Sequence, residues 1–340
     1  MKRIFKWAII SITVQAVIFA YFNYIYLPGT RHVKTTIYKH DESSISSWSL
    51  KIPEDALFIK TSYNGRYVGY MKEGELVVMD SANGSKKSAV GRGEGKLSYF
   101  KWLPDREMII YSLSLPQDGY CDVQIATYSA ESGEKRVYPE ISGLPEGSEV
   151  DDIKLSILTN TVYVKVKTGN SSSRVYRFDI MDNCRLVLTS DDGIKIQQTM
   201  RDDNLLYENS GCIYVINGNN DTEKQLEFGS IAVLLGIDPA DRVFVGEQDE
   251  SGRIIGIYYG KIDDEEIKET WESIALNKPV PRENIIITES GTVYELAEEE
   301  KCVRQIDGSS KIDFEGEFIE MTDGYIITRN RNLLKLDVLH

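Results

Sequence analysis

The chain has 340 residues, with 53 acidic against 39 basic side chains and a formal charge of −14 at neutral pH. A surface of that sign repels phosphate backbones, which argues against nucleic acid as a partner. Four cysteines without a C-x-x-C pair and three histidines give no metal spacing, and in a chain of this size the cysteines read as free thiols rather than staples.

Lys2, Arg3 and Lys6 precede WAIISITVQAVIFAYFNYIYL, residues 7–27, a run without a charge. As a helix at about 1.5 Å per residue it is long enough for a hydrocarbon core of roughly 30 Å. Tyr21, Tyr24 and Tyr26 suit an interfacial aromatic belt, and the basic residues hold residues 1–6 in the cytoplasm. The run reads as one transmembrane anchor with everything after it extracytoplasmic. A cleaved signal peptide is the alternative, but the run exceeds an h-region of about 7–15 residues and no small-x-small site closes it.

Residues 28–31 form a linker. HVKTTIYK, residues 32–39, then alternates Val33, Thr35 and Ile37 and has no strand partner of its own. From there one pattern recurs: a polar turn, an apolar strand, a connection and a second strand. The copies are YVGYM from Tyr67 with LVVMD from Leu76, MIIYSL from Met108 with VQIATYS from Val123, and TVYVKV from Thr161 with RVYRFDI from Arg174. LLYE from Leu205 pairs with CIYVI from Cys212, and RVFVGE from Arg242 with IIGIYYG from Ile254. NIIITE from Asn284 pairs with TVYELA from Thr292, and GYIITR from Gly324 with LLKLDV from Leu333.

The long second interval is assigned to an insertion at residues 115–122 and a loop at 142–152. Turn formers stand before most first strands, among them Asn64-Gly65, Pro104-Asp105, Asp202-Asp203 and Asp323-Gly324. Residues 265–276, EEIKETWESIAL, have some helical spacing but are preferred as the outer strand of the fifth copy.

Seven units at a period of about 42 residues are what an all-β, seven-bladed β-propeller requires, with six or eight blades as alternatives. The propeller spans residues 32–340. Its last copy ends near the last residue without an outer strand, so residues 32–39 are expected to complete the seventh blade and remove the free edge.

YNGRYVGYMKEGELVVMDSANG resembles the S-x-D-G-x-x-[apolar]-A-Y…L-[apolar]-x-D-x-x-x-G repeat of TolB-type, WD-repeat-like propellers, with Asn64 for the usual Asp and Gly69 for the usual Ala. The second copy matches in part, the others only in pattern. The resemblance implies a propeller over residues 32–340 and brings no catalytic residues. No GxSxG accompanies it.

His32, His40 and His340 flank the expected closing strand or end the chain, which leaves nothing for a catalytic triad. GRGEGKLS from Gly91 fails the phosphate-loop spacing. No catalytic residue, metal ligand or cofactor is assigned. The longest loops inside the second-and-third-strand hairpins nominate Asp118, Tyr120, Asn170 and Arg253 as ligand contacts. The function expected is a non-enzymatic, membrane-anchored binding or scaffold module for a protein, peptide or cell-envelope polymer. A propeller hydrolase or lyase acting through paired carboxylates is the alternative.

Overall fold

The apolar runs that open the copies are continuous rather than alternating because both faces of each such strand are covered. In Met108–Pro116, Ile109, Tyr111 and Leu113 pack to one side and Ile110 to the other. The structure is a computed structural model that describes residues 2–21, 45–90, 93, 95–169, 171–191, 193–228, 230–263 and 270–339.

The chain divides into two units, Met1–Ser44 and Ile45–His340. In the first, the helix Lys2–Tyr21 leaves Trp7, Ile12, Val17 and Phe19 exposed. Among the described residues no helix is long and apolar enough to cross a membrane. Residues 22–27 of the expected anchor, the linker and the expected strand at 32–39 lie outside the described residues.

The second unit is a seven-bladed β-propeller of antiparallel sheets, six with four strands and one with five. Each blade runs outward through strands a, b, c and d. The a strands are Leu57–Thr61, Lys96–Trp102, Glu149–Ser156, Ile196–Gln198, Ala232–Ile237, Ile285–Ile287 and Glu317–Met321. The b strands are Tyr67–Lys72, Met108–Pro116, Thr161–Lys167, Asn204–Asn209, Val243–Gln248, Val293–Ala297 and Tyr325–Asn330. Seven separate apolar cores result, one at each blade-to-blade interface.

Local chemistry sets the turns. Glu73-Gly74 and Ser210-Gly211 join b to c in two residues, each with positive φ, the conformation whose twist matches that of the strands it connects. The acids in the a–b turns also reach the neighbouring blade. Glu107 accepts from Asn64 Nδ2 at 2.9 Å, Asp241 from the Arg201 N–H at 2.9 Å and Asp323 from the Ser290 N–H at 2.7 Å. Asp203, 5% exposed, accepts from the Tyr163 hydroxyl at 2.7 Å and from Arg177 Nε at 2.8 Å in blade three.

Four expectations need correction. The partner of the last c strand, Leu333–Val338, is Trp48–Lys51, with Trp48 opposite Leu336 and Lys51 opposite Leu333, so the slot assigned to residues 32–39 is filled by a later segment. That segment carries Trp48 and Leu50 into the core between blades seven and one, a burial that supplies the closing energy. In the sixth copy, the paired strands are a and b rather than b and c, because Ile285–Ile287 is as apolar as a b strand. The insertion at 115–122 is a longer hairpin, whose strands extend to Pro116 and resume at Tyr120. Residues 142–152 are not a loop: Ile141–Pro145 is half of a split outer strand in blade two, and Glu149–Ser156 begins blade three. The outer strand of blade five is Glu272–Val280, as expected for residues 265–276 from Glu272 on. The four cysteines are free.

Leu50 is 6% exposed and packs with Leu334 and Leu336, both fully buried. Leu50→Ala is therefore expected to cost about 2–4 kcal/mol, read as a lower midpoint in thermal or urea unfolding. Removing residues 32–39 should leave the midpoint unchanged; the reverse pattern would show that the ring closes elsewhere.

Candidate functional site

The third residue of each b strand faces one residue of its a strand. In order round the ring these partners are Lys60, Lys101, Lys154, Gln197, Leu234, Ile285 and Glu320. One level of the inner wall is thus cationic on blades one to three, amide on blade four, aliphatic on five and six, and acidic on seven. A β-bulge adds one residue to the a strands of blades one, two, three, five and seven close to this level, which re-aims the side chains that follow it.

A cavity of about 200 Å³ at the end of the ring that carries the a–b turns is lined from blades two to six, by Lys101, Lys154, Gln197, Gln198, Ile237 and Ile287 among others. A second, of about 420 Å³, opens at the opposite end and shares Lys154 and Gln197 with the first. Both lie along the axial channel of the ring.

Most of its charges are matched. Lys154 Nζ lies 3.1 Å from Asp152, and Lys60 Nζ 3.7 Å from Glu320, which also accepts from the Thr61 N–H at 2.9 Å. Arg282 grips Glu208 with two bonds of 2.7 and 2.8 Å. Lys195 and Glu283, exposed in the second cavity, have no ion pair among the described residues, and neither does the half-buried Lys101, whose amine also has no hydrogen bond among them. Burial pushes its ammonium down to about 8, with Lys154 lowering it further, Asp152 opposing and Lys60 adding a smaller push downward. Gln198 donates to Thr161 Oγ1 at 2.6 Å, while its buried Oε1 has no partner among the described residues.

A separate cleft of about 610 Å³ lies between blades two and three on the face of the a–b turns. Its apolar lining includes Leu103, Ile110, Leu155, Tyr138 and Phe178, the last two rings meeting edge to face at 6.0 Å. Arg136 of blade two bridges to Asp182 of blade three at 2.8 and 2.9 Å and stacks its guanidinium 5.1 Å from the Tyr138 ring. Burial raises the Tyr138 phenol above its ordinary range, so it stays protonated. The same strand and turns carry Val137, Leu158, Ile180 and Met181, exposed by 53, 62, 65 and 77%. Clustered large apolar side chains in water are the usual mark of an interaction surface.

The residues nominated from sequence lie elsewhere. Asp118 is exposed in the b–c turn of blade two, and Tyr120, 43% exposed, starts its c strand. Arg253 closes the b–c turn of blade five, its N–H bonded to Asp249 Oδ1 at 3.0 Å and its guanidinium to the Pro279 carbonyl at 2.6 Å. Asn170 lies outside the described residues. Asp118 and Tyr120 share the b–c face with Arg253 but sit on a distant blade from it, and none lines the channel or the cleft. The channel lysines were missed, although a signal exists: FIKT, YFKW and DIKL each set one lysine in an apolar strand just before an a–b turn, in three successive copies.

The chain is similar in structure to the β-propeller domain of Cps50 (Swd1) from Myceliophteria thermophila, with a TM-score of 0.53 over 85% of this chain and 97% of that one, at 10% identity. At that identity the likeness shows the fold alone. No family profile and no curated relative matches the sequence.

Lys101→Met keeps the side chain's length and removes a cation that burial disfavours. Because the native pKa of about 8 lies below the ordinary 10.5, the unfolded chain holds the extra proton between those values. Wild-type stability therefore rises across that window, and the penalty is fully present below it. The variant should be the more stable protein near pH 7, by on the order of 2 kcal/mol, with the gap closing as the pH rises from about 8 and nearly gone by 10.5. Urea unfolding at the two pH values measures this, and a variant less stable near pH 7 would contradict it.

Proposed function

We propose that the protein is a membrane-anchored, extracytoplasmic scaffold whose propeller binds a protein or peptide segment in the cleft between blades two and three. The observation that carries the reading is the cleft itself, with an apolar floor, the Arg136–Asp182 bridge across it and the exposed Leu158, Ile180 and Met181 at its rim. Its volume, about 610 Å³, falls in the range that takes one or a few side chains of a partner. An occupant with apolar side chains and a backbone to satisfy the polar rim fits better than a wall polysaccharide.

The anchor reading rests on the charge-free run of residues 7–27, on the exposure of the apolar side chains of Lys2–Tyr21 and on Lys2, Arg3 and Lys6 before it. The resemblance of the first repeat to TolB-type propellers fits an envelope setting. A hydrolase or lyase would need two carboxylates free to act on one substrate. Of the carboxylates that line the two channel cavities, Asp152 faces Lys154 and Asp238 faces Arg242 instead.

Ile180→Asp combined with Met181→Asp changes two side chains that are mostly in water, so stability should move by no more than about 0.5 kcal/mol. Cross-linking in intact membranes should join the wild-type chain to a partner that the double variant no longer captures. Equal capture by both would remove the cleft from the interface. Protease added to intact cells should cut the propeller; full protection would place it on the other side of the membrane.

A further inference from the structure

Three lysines at equivalent positions on consecutive blades form one wall of the channel, in a chain whose formal charge is −14. The fold does not demand them, since the same position on blades five and six is Leu234 and Ile285. Lys60 and Lys154 each have a carboxylate of their own, and Lys101 between them has none among the described residues. A half-buried cation without a counter-ion is costly, and the cost falls when an anion is supplied. The cavity that Lys101 and Lys154 line holds about 200 Å³, room for a small molecule or a single functional group. Asp238, at its rim, is engaged by Arg242 at 2.6 Å and does not fill that role.

We propose that this wall is a binding site for a small oxyanion, a carboxylate or phosphate group, held by Lys101 with Lys154 and Lys60 beside it. The amide-bearing Gln197 extends the polar wall onto blade four, and Ile237 and Ile287 give the far side apolar surface beside Asp238, Thr288 and Glu289. An occupant would thus present its charge to blades two and three and its less polar part to blades five and six. This site is independent of the cleft between blades two and three, and either can fail without the other.

The test is calorimetric titration of the 340-residue chain in detergent, near pH 7 and at constant ionic strength, with inorganic phosphate and separately with malonate. Saturable binding of at least one is expected. Lys101→Met should weaken it about tenfold or more, whereas Lys335→Met, which removes an exposed lysine paired with Asp337, should leave it unchanged. Tighter phosphate would assign the site to phosphoryl groups, and tighter malonate to carboxylates. Circular dichroism checks that Lys101→Met is folded. Failure of both anions to saturate, or equal affinity in Lys101→Met and wild type, would overturn the proposal.

Discussion

A closed ring of sheets has one seam that no hairpin crosses, and every blade depends on how that seam is held. Here Trp48–Lys51 pairs with Leu333–Leu336 and hides the edge that the seventh blade would otherwise offer to another chain. Leu50, Leu334 and Leu336 share a core with Ile59, Val68 and Tyr70 of blade one, so the same side chains that complete the sheet also fasten it to its neighbour. At about 1.5–3 kcal/mol for each fully buried large apolar side chain, this outweighs the polar contacts around it. Those contacts fix geometry: the Trp48 indole N–H donates to the Gly65 carbonyl at 2.9 Å, and the Tyr325 hydroxyl to the Ser62 carbonyl at 3.1 Å. Gly65 is required there, for its φ is +68° and an added Cβ would stand 2.6 Å from Leu336.

Closure also decides what the axis can contain. With seven a strands fixed in register, each blade contributes one residue per level, and a charge repeated at one position of the repeat becomes a charged sector of the wall. Blades one to three supply that sector with Lys60, Lys101 and Lys154. Blade seven supplies the opposite charge next to it through Glu320, which binds both Lys60 and the Thr61 backbone. The chain's acidity lies mostly outside this wall, in turns such as those of Glu107, Asp241 and Asp323 that fasten one blade to the next.

The b strands were legible because burial on both faces forces a continuous apolar run, as in MIIYSL and TVYVKV. Apart from that of blade five, the outer strands were not, since Lys135–Val137 is exposed throughout and Glu223–Leu226 buries only Leu226, which leaves little apolar pattern to read. Closure by a segment ahead of blade one could be reasoned from the missing outer strand. Its identity could not, because the alternation of residues 32–39 looks as good as that of WSLK, and only the packing of Trp48 and Leu50 separates them. Turn acids such as Asp203 and Asp323 were recognisable as turn formers, but their hydrogen bonds to another blade depend on a neighbour about 40 residues away. The candidate contacts and the concave sites differ for a related reason. Loop length nominated Asp118 and Arg253, whereas concavity here arises between blades and along the axis, where sequence distance carries no information.

The pairing of Trp48–Lys51 with the last c strand also governs how the molecule is born. A ribosome delivers the closing strand before any blade and its partner after all the others, so six blades can stack in order while the seventh waits for residues that do not yet exist. During that wait a short apolar strand with Trp48 and Leu50 has no sheet to join. Contacts between sequence-distant strands form late and slowly, and unpaired strands are the species that aggregate. Nascent chains of this protein therefore have reason to need a holding chaperone, and a premature stop within the last blade would leave six formed blades and a ring that never closes.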